Sequence, residues 1–210
     1  MIRSSSVLRR TVPAVGALLA AAVLTACGGA AHPGAAAVVG DNRITISAVQ
    51  SRIAEIRAEA AAQPGVASQE SSDLAQSTVS QMVMTEVVDH AVASHGLTVS
   101  DTEIAQVRQD QATAWGGEAA LDQMLLVKRG VPTGQIDTFY RELIGINKLA
   151  GLSGQQVGTT EGNKAVHQLL SQASAELKVS VNPRYGSWDA QQAIVTGPWD
   201  AWLPQPGTAT

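Results

Sequence analysis

Apolar residues along the chain recur first at a strand-like spacing and then, for most of its length, every three to four positions. Ala37-Val38-Val39, Gly40-Asp41-Asn42 and Arg43-Ile44-Thr45-Ile46 predict two short strands about a tight turn, since Gly and Asn tolerate the positive φ such turns require. Ser47 is placed to cap a first helix running to about Ala62, in which Val49, Ile53, Ile56 and Ala60 share a face before Gln63-Pro64-Gly65 ends it. Ser71, Ser72 and Asp73 open a second helix of about 22 residues. Leu74, Val79, Met82, Val83, Val87 and Ala91 give it a wide apolar stripe, and Gly96 stops it.

Ser100-Asp101-Thr102-Glu103 is a capping box, with Val99 and Ile104 as its hydrophobic staple, so a third helix runs from there to about Trp115-Gly116-Gly117. A fourth spans Glu118 to Arg129 with Leu121, Met124 and Leu125 inward and Gly130 as its stop. A fifth, about Gln135 to Leu152, carries Ile136, Phe139, Tyr140, Leu143 and Ile144 on its apolar face. A sixth, about Thr160 to Lys178, carries Val166, Leu169, Leu170, Ala173 and Leu177. Val179-Ser180-Val181 alternates like a strand, and Pro183 makes Asn182 to Gly186 a turn. This strand is expected to pair with the N-terminal strands near Val38 or Ile44. The fold class is therefore mainly α: a helical bundle with a small β-element formed by the N-terminal strands and a C-terminal strand. From Gln191 the chain contains Pro198, Pro204 and Pro206 and no sustained period, so residues 191–210 read as a tail.

Composition sharpens this picture. Alanine, which favours helix, is abundant, and only seven of the 210 residues are aromatic, so the core must be aliphatic. A formal charge of −4 argues against a nucleic-acid binder, which needs a basic face. The single cysteine excludes an intrachain disulfide and a thiolate zinc cluster. No metal or cofactor site is expected: His90 and His95, five residues apart, do not share a helix face, His167 lies off its helix's apolar stripe, and no P-loop, dinucleotide glycine pattern or G-x-S-x-G elbow occurs. Asp101 and Glu103 are explained by helix capping. Glu118 with Asp122, and Asp137 with Arg141, read as i,i+4 pairs on a solvated face.

The N-terminus changes the compartment. Arg3, Arg9 and Arg10 precede an apolar run from Val12 to Leu24 with no acidic residue, the layout of a signal peptide. It ends in Leu24-Thr25-Ala26-Cys27, which resembles the lipobox of bacterial lipoproteins. That resemblance implies a signal at 1–26 and acylation of Cys27. The paired Arg9-Arg10 leaves twin-arginine export open, but the residues around it fit that motif poorly, which favours the general secretory route. Removing the signal takes away three basic residues and no acidic one, leaving a formal charge of −7. Residues 27–36, including His32, read as a flexible tether, and 37–190 as the folded domain.

Several stretches, in order, resemble the N-terminal domain of SurA-type periplasmic chaperones. Val38 to Ile44 is similar to the family's opening strand turn, His95 to Glu103 to its G-hydrophobic-x-V-S-D junction, and Leu121-Asp122-Gln123-Met124 with Gly130 and Tyr140-Arg141 to its next pair of helices. Val179 to Gly186 resembles the strand and turn that close related foldases of the PrsA type. In those relatives parvulin isomerase domains of about 90 residues lie between the helical domain and the closing segment. Here fewer than ten residues separate Leu152 from Thr160, so the resemblance does not carry prolyl isomerase activity.

What it implies is a membrane-anchored, ATP-independent chaperone or holdase for unfolded or nascent exported polypeptides, held by its N-terminal lipid on the extracytoplasmic face of the cell membrane. The alternatives are an accessory lipoprotein binding one folded partner and a protein related to the peptidyl-prolyl isomerases. The aromatics are the candidate client-binding residues: Trp115, Tyr140, Tyr185, Trp188, Trp199 and Trp202. The last four crowd into the final 26 residues, where they either fill gaps on the helical body or line an apolar groove.

Overall fold

A computed structural model of the chain describes residues 33–63 and 73–197. The signal, Cys27, the tether as far as His32, the Pro64-Gly65 stop, Ser71, Ser72, Trp199 and Trp202 lie outside the described residues.

Strands β1 (Ala35–Val39) and β2 (Asn42–Thr45) form the expected antiparallel hairpin, and β3 (Ser180–Val181) pairs with the other edge of β1, Ala37 opposite Val181 and Val38 opposite Ser180. The sheet order is β2-β1-β3. At the hairpin turn Gly40 has φ +58° and its N–H donates to the Leu177 carbonyl at 2.7 Å. A Cβ there would meet only the end of the Leu177 side chain, Cδ2 at 2.9 Å, which can shift, so it is the positive φ that favours glycine here. The sequence reading is corrected at the start of the domain. β1 begins at Ala35, and Ala35 and Ala36, placed in the tether, are buried. Alanines show no apolar period, yet they are the side chains that fit where the strand lies close under the helices.

Helix α1 (Ile46–Ala62) is capped by Thr45, not Ser47. Thr45 ends β2 with extended backbone (φ −82°, ψ 154°), which is the geometry an N-cap requires, and its hydroxyl accepts from the Ala48 N–H at 3.0 Å. Helix α2 (Leu74–Ser94) is the spine, packing on α1, on β1 and on the helices at Ile136–Gly151 and Thr160–Leu177. Its valines are buried on more than one side, Val79, Val83 and Val87 as well as Val88 and Val92. It ends at Gly96 (φ +68°), with the Leu97 N–H returning to the Val92 carbonyl at 3.0 Å.

Helix α3 (Asp101–Trp115) has the full capping box: the Ser100 hydroxyl accepts from the Glu103 N–H, and Glu103 Oε2 accepts from the Ser100 N–H at 2.9 Å. Helix α4 (Glu118–Arg129) ends at Gly130 in the left-handed conformation. A 3-10 turn at Thr133–Gln135 leads into α5 (Ile136–Gly151), and α6 (Thr160–Leu177) follows, capped by Thr159. Two apolar clusters result. Ile104, Leu121, Leu125, Ile136, Tyr140 and Ile144 join α3, α4 and the first half of α5. The other unites the strands, α1, α2, α6 and the end of α5. Gly145 lets α5 lie close on α2, since a Cβ there would sit 3.0 Å from Val92 and 3.2 Å from Val88.

Two further readings are corrected. Residues 187–196 form a hairpin, β4 (Ser187–Asp189) with β5 (Ile194–Thr196), so the boundary at 190 cuts a structural unit. Ala193 and Val195 enter the core, and α2 holds β5: Gln76 Nε2 donates to the Val195 carbonyl at 2.8 Å, and the Val195 N–H donates to Ser80 Oγ at 3.2 Å. Strands of three residues are too short to show alternation. Nor do Asp137 and Arg141 pair along their helix. Arg108 of α3 takes Asp137 at 3.2 Å and Glu118 at 3.3 Å, while Arg141 reaches Asp101 at 3.1 Å. Asp122 is partly buried, and its Oδ1 has no hydrogen-bond partner.

Candidate functional site

The second half of α1 is tied across to the turn before α5. The Glu59 carboxylate accepts from the Thr133 N–H at 2.9 Å and from the Thr133 hydroxyl at 3.0 Å. Between that tie and α2 the surface is concave. A hollow of about 570 Å³ is bordered by Ile56, Leu74, Met84, Arg129, Ile194 and Val195. A smaller one of about 160 Å³ is bordered by Ile44, Arg52, Met82, Thr85 and Phe139. Gln81 of α2 and Glu142 of α5 border both, so the two abut at these side chains. The helical repeat explains this: Gln81 with Thr85, and Thr138 with Glu142, are i,i+4 neighbours facing the same gap.

The polar groups of the cleft are unevenly satisfied. The Thr85 hydroxyl lies 3.1 Å from the Gln81 carbonyl and 3.2 Å from Glu142 Oε2, and it has a single proton for two acceptors. No other side-chain partner reaches Glu142 among the described residues. Burial pushes the Glu142 carboxyl up to about 7, against the Thr85 hydrogen bond, and the charge of Asp89 adds to the rise. Burial lowers the pKa of Arg52, opposed by Glu55, whose carboxylate lies 3.6 Å away. Glu86 is engaged by Asn42 Nδ2 at 2.6 Å.

The other hydroxyls around the larger hollow are committed to backbone partners. Thr78 and Ser77 spend their hydroxyl protons on the Leu74 carbonyl, and Ser80 serves β5, so these hydroxyls have backbone duties. Among the described residues no histidine borders either hollow to act as a base. Nor does any group of three or more His, Cys, Asp or Glu among them stand where it could hold a metal ion. His90 pairs with Glu176 at 3.0 Å.

Among the described residues the aromatic candidates do not come together on one surface. Tyr140 and Tyr185 are buried in the two apolar clusters, which removes them as client contacts: each ring fills space between helices that the small aliphatic residues leave open. Trp188 is partly buried against the larger cluster, with its indole N–H enclosed and unpartnered. Trp115 is half exposed at the end of α3 and borders neither hollow. Cys27, Trp199 and Trp202 are outside the described residues. The sequence reading missed Gln81, Thr85 and Glu142. An acidic residue three positions after Phe139 is a common surface pattern, and only the packing of α5 against α2 turns it inward.

No curated protein and no solved structure matches the chain. A family model described as the SurA-like N-terminal domain matches residues 2–123, which includes β1, β2, α1 to α3 and the first half of α4. The chain therefore belongs to the SurA-like N-terminal domain family, whose domain is of chaperone type rather than catalytic.

Proposed function

We propose that the protein is an ATP-independent holdase for unfolded exported polypeptides, anchored through acylated Cys27 on the extracytoplasmic face of the cell membrane. The observation that carries the reading is the open cleft between α1, α2 and α5, in which Ile56, Leu74, Met82, Met84 and Ile194 stand among polar side chains, in a chain of the SurA-like family. Methionine and aliphatic walls adapt to varied apolar side chains without selecting one. Covering ~300 Å² of apolar surface at ~25 cal/mol per Å² gives several kcal/mol before ordering costs, which corresponds to weak, exchanging, micromolar-type binding. Such binding suits a holdase better than a dedicated receptor. Acyl chains would concentrate it where clients emerge from the export channel. No covalent step is assigned: α5 passes to α6 through residues 152–159, a connection too short for a parvulin domain.

Light scattering of a denatured client, with and without the protein, tests the reading beside a protease-coupled proline peptide assay. Suppressed scattering with no accelerated isomerisation is the expected result. No suppression at several-fold excess would favour the accessory lipoprotein binding one folded partner, and catalysed isomerisation titrating with the protein would overturn the non-enzymatic assignment. Cys27→Ser should move the protein from the membrane to the soluble fraction; a variant that stays membrane-bound after a salt wash would refute the lipid anchor.

A further inference from the structure

We infer that Glu142 makes the cleft selective for polypeptide segments that carry a lysine or arginine within an apolar stretch, its carboxylate receiving the cationic end while the walls cover the flanking residues. The inference rests on the holdase reading and names the class of segment that this cleft takes.

A partly buried carboxylate in a hollow of mixed apolar and polar lining is costly unless it is paired. Glu142 has only a share of the Thr85 hydroxyl proton. Charged groups surround it without neutralising it. Arg52 of α1 borders the smaller hollow and is held by Glu55; Arg129, at the end of α4, borders the larger one. Neither forms an ion pair with Glu142, and Arg141 of α5 is engaged by Asp101. From α2, Glu86 borders the smaller hollow and Asp89 adds negative charge near Glu142. Asp73 also borders the larger hollow. Among the described residues that line the two hollows, Glu142, Glu86 and Asp73 outnumber Arg52 and Arg129, so the lining is net negative and suits a cation, while Ile44, Met82 and Phe139 add apolar surface to the smaller hollow. A lysine or arginine fits both halves, since its aliphatic stem packs on such walls and its head is charged. A metal ion does not fit, because one carboxylate and one hydroxyl are too few hard ligands.

The test uses the full chain and two fluorescein-labelled peptides, one with a lysine flanked by apolar residues and the other with N-acetyl-lysine in its place. Anisotropy titrations should show the lysine peptide binding about tenfold more tightly, the scale of one charge-assisted hydrogen bond. The preference should widen from pH 6 to pH 8 as Glu142 ionises, and it should vanish at both pH values in Glu142→Gln. Thr85→Val, which removes the hydroxyl and leaves the carboxylate, should keep it; melting curves confirm that both variants fold. Equal affinities in the unaltered chain, or a preference retained by Glu142→Gln, would overturn the inference. If neither peptide binds while client aggregation is still suppressed, the inference falls and the holdase reading stands. If neither peptide binds and aggregation is not suppressed, both fall.

Discussion

Asn182 Nδ2 donates to the carbonyl of Ala35 at 3.0 Å, a link between residues 147 positions apart in the chain. The Asn182 N–H donates to the neighbouring Ala36 carbonyl at 2.8 Å, and Asn182 Oδ1 accepts from the Arg184 N–H at 3.0 Å. One side chain thus closes the turn after β3 and clasps the start of β1. A two-residue strand is not stable alone, so the clasp is part of what holds the two ends of the domain together. Removing it in Asn182→Ala leaves the Ala35 carbonyl without that donor, at a cost of about 1–3 kcal/mol. The melting temperature should fall by roughly 2–4 °C for each kcal/mol lost. Truncation before Val179 should lower it further, because Tyr185 and Val195 leave the core as well. A truncated chain that melts with the full one would remove the closing strand from the stabilising structure.

Gly186 and Gly116 offer a matched comparison. Both have positive φ, +120° and +88°. A Cβ on Gly186 would lie 2.1 Å from the Thr196 carbonyl oxygen, whereas one on Gly116 meets nothing within 4 Å. Gly116→Ala should therefore cost only the left-handed backbone penalty of about 1–2 kcal/mol. Gly186→Ala should cost clearly more, because β4 and β5 must separate to admit the methyl group. Urea unfolding of the two variants checks the order; equal midpoints would mean that the hairpin is not tightly closed.

At the start of α3, Ser100→Ala removes the hydroxyl that accepts from the Glu103 N–H and donates to Glu103 Oε2 at 3.0 Å. The expected loss is about 1 kcal/mol. The Lys148 hydrogen bond is the main cause holding the Glu103 carboxyl down at about 2, with Ser100 second, so Glu103 should still titrate below the ordinary carboxylate range in this variant. NMR titration of the Glu103 side chain reads this directly; a return to the ordinary range would show that Ser100, not Lys148, dominates.

The Glu142 carboxyl, raised from 4.5 to about 7, gives stability a definite pH dependence. Between those values the folded state holds a proton that the unfolded state has released. Its contribution is present in full below about pH 4.5 and is lost as pH rises through about 7. The complete effect is up to about 3 kcal/mol. Glu142→Gln should abolish this slope and be more stable than the unaltered chain at pH 8. Denaturant unfolding between pH 5 and pH 8 measures it; parallel profiles for the two proteins would place Glu142 in a solvated setting.

The apolar period of α3 to α6 and the capping box at Ser100 are local properties, which is why these helices and their ends were legible in the sequence. The return of Val179-Ser180-Val181 to β1 was legible too, because two segments too short to stand alone need a partner. The start of β1 at Ala35, the cap at Thr45 and the hairpin at 187–196 were not. Alanine and three-residue strands give no periodic signal, and what orders them is contact with α2 and the ends of other elements.

The aromatic residues show the same division for the site. The apolar face of α5 already carried Tyr140 in the sequence, but whether Tyr185 fills a gap or lines a groove was decided only by packing, which buries it. Glu142 looked like one more acid on a helix surface. Whether a carboxylate is solvated or enclosed depends on the helix facing it, here α2 with Gln81 and Thr85. The sequence alone determined the helical class, the order of its elements and the closing strand. The cleft and the poorly paired Glu142 in it were decided by tertiary structure, because burial and field at a side chain are set by groups distant in the chain.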